Sequence, residues 1–111
     1  MQADKAYKNN QFEQAALIYK QSIDYNPNVG QTYSNLAVAY QKLNRSSEAL
    51  WANQKAIALA SNDNTKAYSH YNIGKIYENN QDYVQAKQHY QLANQYKPSV
   101  TYDEAIQRVS R

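Results

Sequence analysis

With 111 residues, no cysteine and a formal net charge of +3, the chain has the length of one small domain and lacks the means for disulfide scaffolds, zinc ribbons or thiol chemistry. Leu, Ile, Val and Phe total only 18 residues, but so small a net charge argues against disorder, and 15 alanines and 12 tyrosines carry the apolar share to 42%. Alanine is the best helix former and a poor strand former, and two glycines and two prolines are too few for a turn-rich β fold, so the composition predicts an all-α chain.

A repeat runs along the chain. Ala3, Lys8, Ala15 and Ile23 recur 34 residues later as Ala37, Lys42, Ala49 and Ile57, while Leu36, Tyr40, Ala49 and Ala56 recur 37 residues later as Ile73, Tyr77, Ala86 and Ala93. A single domain over 1–111 is therefore expected to hold a truncated first unit (1–29), a second (30–63), a third (67–100) and a terminal helix (101–111). The extra residues at the second junction fall within ASNDNTK.

Each unit reads as two helices. In the first, FEQAALIYKQSIDY leads to Pro27, where a helix cannot easily continue. In the second, Tyr33, Leu36, Ala37, Tyr40 and Leu43 form one helical stripe, polar residues 44–46 break it, and Ala49, Leu50, Asn53, Ala56, Ile57 and Ala60 form another. The third breaks at NNQD and restarts at Asp82, an N-cap with Gln85 three residues on, and ends at Pro98. In the tail, Thr101 and Glu104 have capping-box spacing, and Tyr102, Ala105, Ile106 and Val109 share one face. The tail therefore reads as an amphipathic lid for the last unit, or alternatively as the start of a fourth.

YNIGKIY, QDYVQAKQHYQLANQYKP, YSNLAVAY, EALWANQKAIAL and QFEQAALIYKQSIDYNP together resemble the tetratricopeptide repeat (TPR) family over roughly residues 1–98. The resemblance implies an all-α, right-handed αα solenoid of three helix pairs plus a C-terminal capping helix. Phe12, Tyr40, Tyr77, Tyr83 and Tyr90 would then pack between helices, with Ala15, Ala49, Gly74 and Ala86 at close approaches. Departures are Ala6 in the place of Tyr40 and Tyr77, Asn53 in that of Tyr19 and Tyr90, and Ser61 for a terminal proline. About five first-helix residues are missing, which points to an excised fragment or a start further upstream.

The same resemblance puts the first helices on a concave face. Its expected peptide-binding groove comprises Tyr7, Lys8, Gln31, Ser34, Asn35, Val38, Lys42, Tyr68, Tyr71, Asn72, Lys75 and Glu78, with Asp4, Gln41 and Asn79 at neighbouring places. Asn35 and Asn72, 37 apart, can each donate and accept hydrogen bonds to an extended backbone, and Tyr68 and Tyr71 can grip an apolar side chain. The basic clamp with which some relatives hold chaperone tails is not matched. Asn35 fits it, but Asp4, Tyr68 and Asn72 stand where it carries asparagine, lysine and arginine. Trp51 is expected on the convex side as a possible second contact.

His70 and His89 have no partner at metal-ligand spacing and two glycines cannot build a phosphate loop, so neither metal nor cofactor nor catalysis is expected. No run of 18 apolar residues exists and the N-terminal stretch lacks a signal-like apolar core, so no membrane contact is expected; the sequence does not name the compartment, with a cytoplasmic one favoured. The reading is a non-catalytic scaffold that binds a protein or peptide. Self-assembly into a homo-oligomer is the alternative. Single-stranded RNA is a weaker one, because the charges are scattered singly.

Overall fold

The computed structural model describes residues 11–111. They form six α-helices: α1 (Phe12–Tyr25), α2 (Gly30–Lys42), α3 (Ser46–Leu59), α4 (Asp63–Asn79), α5 (Tyr83–Tyr96) and α6 (Val100–Val109). No strand occurs among the described residues. Helices α2 and α3 pair, α4 and α5 pair, and each pair packs on the next through α3 with α4 and α2 beside α4, while α1 lies on α2 and α6 closes α5. This is an all-α helical-repeat solenoid, 41 × 27 × 22 Å in extent.

Small side chains make the close stacking possible. Ala15, Ala37, Ala39, Ala49, Ala52, Ala56, Ala67, Ala86 and Ala93 have no exposed surface. Gly74 is required by contact: a Cβ there would lie 2.6 Å from two ring carbons of Tyr90. Large rings fill the space that alanine leaves. Tyr19, Tyr33, Tyr40 and Tyr90 are buried, each placing a wide apolar area between helices. Tyr83 departs from expectation: it is half exposed, as the first residue of α5 at the edge of its pair.

The two intra-pair turns share one construction. Asn44 and Gln81, 37 residues apart, take positive φ of 61° and 63°. Arg45 N–H then donates to the Tyr40 carbonyl and Asn44 N–H to Gln41, while Asp82 N–H donates to Tyr77 and Gln81 N–H to Glu78. These are the paired bonds of a Schellman turn, which satisfy carbonyls at the helix end and reverse the chain. Asp82 then caps α5 through its carboxylate, which accepts from Gln85 N–H at 3.2 Å, as the spacing predicted.

The inserted junction residues become helix. Asn62 caps α4 by accepting from Thr65 N–H at 2.9 Å, so α4 starts at Asp63 and runs 17 residues against 13 for α2. The tail is capped one turn element earlier than its spacing suggested. Ser99, not Thr101, is the N-cap, its hydroxyl accepting from Thr101 N–H at 3.2 Å.

Candidate functional site

The side-by-side packing of α2 and α4 presents one continuous face, and α6 extends it. At its near end Gln31 is fixed from two sides. Its amide nitrogen donates to Asn35 Oδ1 at 3.2 Å, and its amide oxygen accepts from Thr65 Oγ1 at 3.3 Å. Gln31, Asn64, Tyr68, Lys97 and Tyr102 together line a hollow of about 380 Å³. Two residues expected in the groove, Gln31 and Tyr68, are thus brought into one concavity. Tyr102, Lys97 and Asn64 were not foreseen there. The signal for Tyr102 was present: it stands 34 residues after Tyr68, the period of the repeat itself.

From Tyr102 an aromatic strip continues along α4. Tyr102 and Tyr71 ring centroids are 5.1 Å apart, and Tyr71 and Tyr90 are 5.6 Å apart. Lys75 Nζ lies 5.3 Å from the Tyr71 centroid, within cation–π range. Burial pulls the Lys75 ammonium below its ordinary pKa, the charges of Lys42 and Arg108 add to that effect, and Glu78 opposes it. Lys75 thus sits among like charges at the far end of the face. Asn35 and Val38 are half-buried on the same helix as Gln31, and Lys42, its last residue, is exposed.

Four expected groove residues are engaged elsewhere. Ser34 has no exposed surface; its hydroxyl is bonded to that of Ser69 at 2.7 Å across the α2–α4 seam, because the two helices approach too closely there for solvent. Asn72 is only 2% exposed, turned into the same packed region, and its Nδ2 has no hydrogen-bond partner. Tyr71 is half-buried under α6 and packs against the Ala86, Tyr90, Ala105 and Val109 cluster, so it is largely a packing residue. Glu78 is held by Arg108 of α6, whose Nε and Nη2 donate to its two oxygens at 2.7 and 2.8 Å, and by the Tyr90 hydroxyl at 2.6 Å. The Arg108 hydrogen bonds hold the Glu78 carboxyl below its usual pKa against the opposing effect of burial. Tyr7, Lys8 and Asp4 lie outside the described residues.

On the opposite side, Trp51 is 49% exposed and meets Tyr33 edge-on at 5.9 Å. It borders a second hollow of about 370 Å³ floored by Leu36 and Tyr40 and rimmed by Lys20, Asp24 and Glu48. In α3, Asn53 occupies the register of Tyr19 and Tyr90, with no exposed surface and no partner for either side-chain polar atom. His70 and His89 meet Nδ1 to Nδ1 at 3.1 Å. Their ring centroids are 5.4 Å apart, about the sum of that contact and two ring radii, so the imidazoles lie edge to edge and not face to face. One donates its Nδ1–H to the lone pair of the other. Tyr77 flanks His89 and Tyr96 flanks His70. Among the described residues no group of three His, Cys, Asp or Glu could hold a metal ion, and no helix is long and apolar enough to cross a membrane.

Two family models, each described as tetratricopeptide repeat, match residues 18–50, from the second half of α1 through α2 into the start of α3, and residues 67–100, most of α4 with all of α5. The chain belongs to the tetratricopeptide repeat family. Solved TPR domains share its fold. The Arabidopsis OM64 TPR domain is 24% identical with a TM-score of 0.87, covering 96% of this chain and 87% of that one. The N-terminal domain of stress-induced protein-1 from C. elegans is 18% identical with a TM-score of 0.85, covering 98% and 89%. The second TPR domain of human RPAP3, solved in complex with the HSP70 peptide SGPTIEEVD, is 18% identical with a TM-score of 0.87, covering 99% and 90%.

Proposed function

We propose that the chain is a non-catalytic interaction module that binds a peptide or helix along the face made by α2, α4 and α6. One observation carries this reading. Gln31, Tyr68 and Tyr102, at repeat-related positions on the alternate helices α2, α4 and α6, line a single hollow. Such a row of polar donors and aromatic rings on rigid helices can hold a backbone and anchor a side chain. The RPAP3 domain of the same fold, which takes an HSP70 peptide, lends support to a peptide partner.

A chaperone tail held by the basic clamp is not the ligand we propose. Tyr68 and Asn72 stand where that clamp needs cations, and Asn72 is buried. The test uses half-buried Val38 and exposed Tyr68, because Tyr71 and Asn72 also hold the fold. Val38→Glu combined with Tyr68→Ala is expected to abolish capture of partners from a lysate while helical circular dichroism persists. Undiminished capture by a folded double variant rejects the binding face.

A further inference from the structure

The face just described has two chemically different ends at a fixed spacing. At one end is the hollow between Tyr68 and Tyr102, with Lys97 on its wall. At the other is Lys75. Tyr68 and Lys75 are seven residues apart on α4, which returns them to the same side of the helix after two turns, about 10 Å along the axis. The surface between them is continuous: Tyr102 touches Tyr71, and Tyr71 lies beneath Lys75.

The carboxylate that acts on Lys75 is already engaged by another cation. Glu78, the acid nearest Lys75 in sequence on α4, has both oxygens taken by Arg108 and one also by Tyr90. Among the described residues neither Lys42 nor Lys75 forms an ion pair, although Lys75 is half-buried and feels the charges of Lys42 and Arg108. A half-desolvated ammonium beside other cations is stabilised by an arriving anion more than an ordinary surface lysine would be. The opposite end favours a ring. Two tyrosines offer edges and faces, and Lys97 can lie over the face of an incoming aromatic.

A polyproline II chain advances about 3.1 Å per residue with three residues per turn, so side chains three residues apart share one side and lie about 9 Å apart, close to that spacing. We propose that this face recognises an extended, polyproline II peptide carrying an aromatic side chain and a carboxylate three residues apart, the ring in the Tyr68–Tyr102 hollow and the carboxylate on Lys75. The proposal rests on the binding reading above and specifies its ligand. It differs from the chaperone clamp in using Lys75 of α4 and in requiring an aromatic partner.

A random dodecapeptide library displayed on phage is selected on the wild-type chain, on Lys75→Glu and on Tyr68→Ala. Wild type is expected to enrich an aromatic residue and Asp or Glu three apart, in one chain direction. Lys75→Glu is expected to replace the acid by Lys or Arg and keep the aromatic, and Tyr68→Ala to lose the aromatic preference. In a synthetic copy of the leading peptide, acid-to-amide substitution should weaken binding about tenfold on wild type and much less on Lys75→Gln. Free and amidated C-termini then tell whether the carboxylate is terminal or a side chain; either source supports the subsite. A wild-type consensus without an acid, no consensus, or an equal amide penalty on Lys75→Gln overturns the inference. If the selected peptides bind the folded Val38→Glu/Tyr68→Ala variant as tightly as wild type, the binding face itself fails.

Discussion

Removing one hydroxyl from the Ser34–Ser69 pair should cost more than removing both. The two oxygens are 2.7 Å apart, in residues with no exposed surface, on α2 and α4 of successive repeats. Ser34→Ala leaves the Ser69 hydroxyl buried without its partner, a penalty of about 1–3 kcal/mol. Alanine returns roughly 0.5 kcal/mol through better helix propensity. The single variant should therefore lose about 1–2 kcal/mol, and Ser69→Ala about the same. The double variant loses one net hydrogen bond, about 1 kcal/mol, and gains the propensity term twice, so it should lie near wild type. The predicted coupling is about 2–4 kcal/mol, well above the roughly 0.5 kcal/mol scatter of independent sites. Urea denaturation followed by far-ultraviolet circular dichroism measures all four proteins, provided m is unchanged. In a domain of about this size each kcal/mol moves Tm by roughly 4–8 °C, so thermal melts give an independent check. If the double variant loses the sum of the singles, the seam is not held by this bond and the two hydroxyls have other partners.

Two further outcomes test the packing and the histidine pair. Gly74→Ala should destabilise by about 1 kcal/mol, since overpacking against Tyr90 costs about 1–3 kcal/mol and helix propensity returns about 1 kcal/mol; in a Tyr90→Ala background the same change should stabilise, measured by urea midpoints. His70 is pulled down to about 4 by burial, with the charge of His89 adding, and His89 is also lowered by burial. A base lowered in the fold favours its neutral form, so this stability is full above pH 6.5 and is lost as pH falls from 6.5 towards 4. Full conversion of the His70 value gives about 3 kcal/mol, and its half exposure reduces that to about 1–2 kcal/mol. His70→Phe should flatten the loss over that window, and an unchanged pH profile would refute the assignment.

The repeat was legible because it is a matter of period. Ala37 and Gly74, or Tyr40 and Tyr77, recur at fixed spacing since stacked helices must approach equally closely at each step, and only small residues allow it. The Asp82 cap and the proline ends are local chemistry and were legible for the same reason. The split of the groove into exposed and buried residues was not. Ser34 and Asn35 are neighbours on one polar face of α2, and sequence alone gives them the same role. The distance between α2 and α4 decides that Ser34 is sealed against Ser69 while Asn35 stays at the surface.

Local rules acting along the chain thus determined the helices, their pairing and the residues available to face a partner. Contacts between helices determined which of those residues remain available. Tyr71 and Glu78 read as ligands until α6 folds over them, bringing Tyr102 and Arg108 from about 30 residues away to take their ring and carboxylate. Helix propensity, capping and periodicity are read within a few turns of one helix, whereas burial and ion pairing depend on what packs on top, and that is a property of the assembled fold.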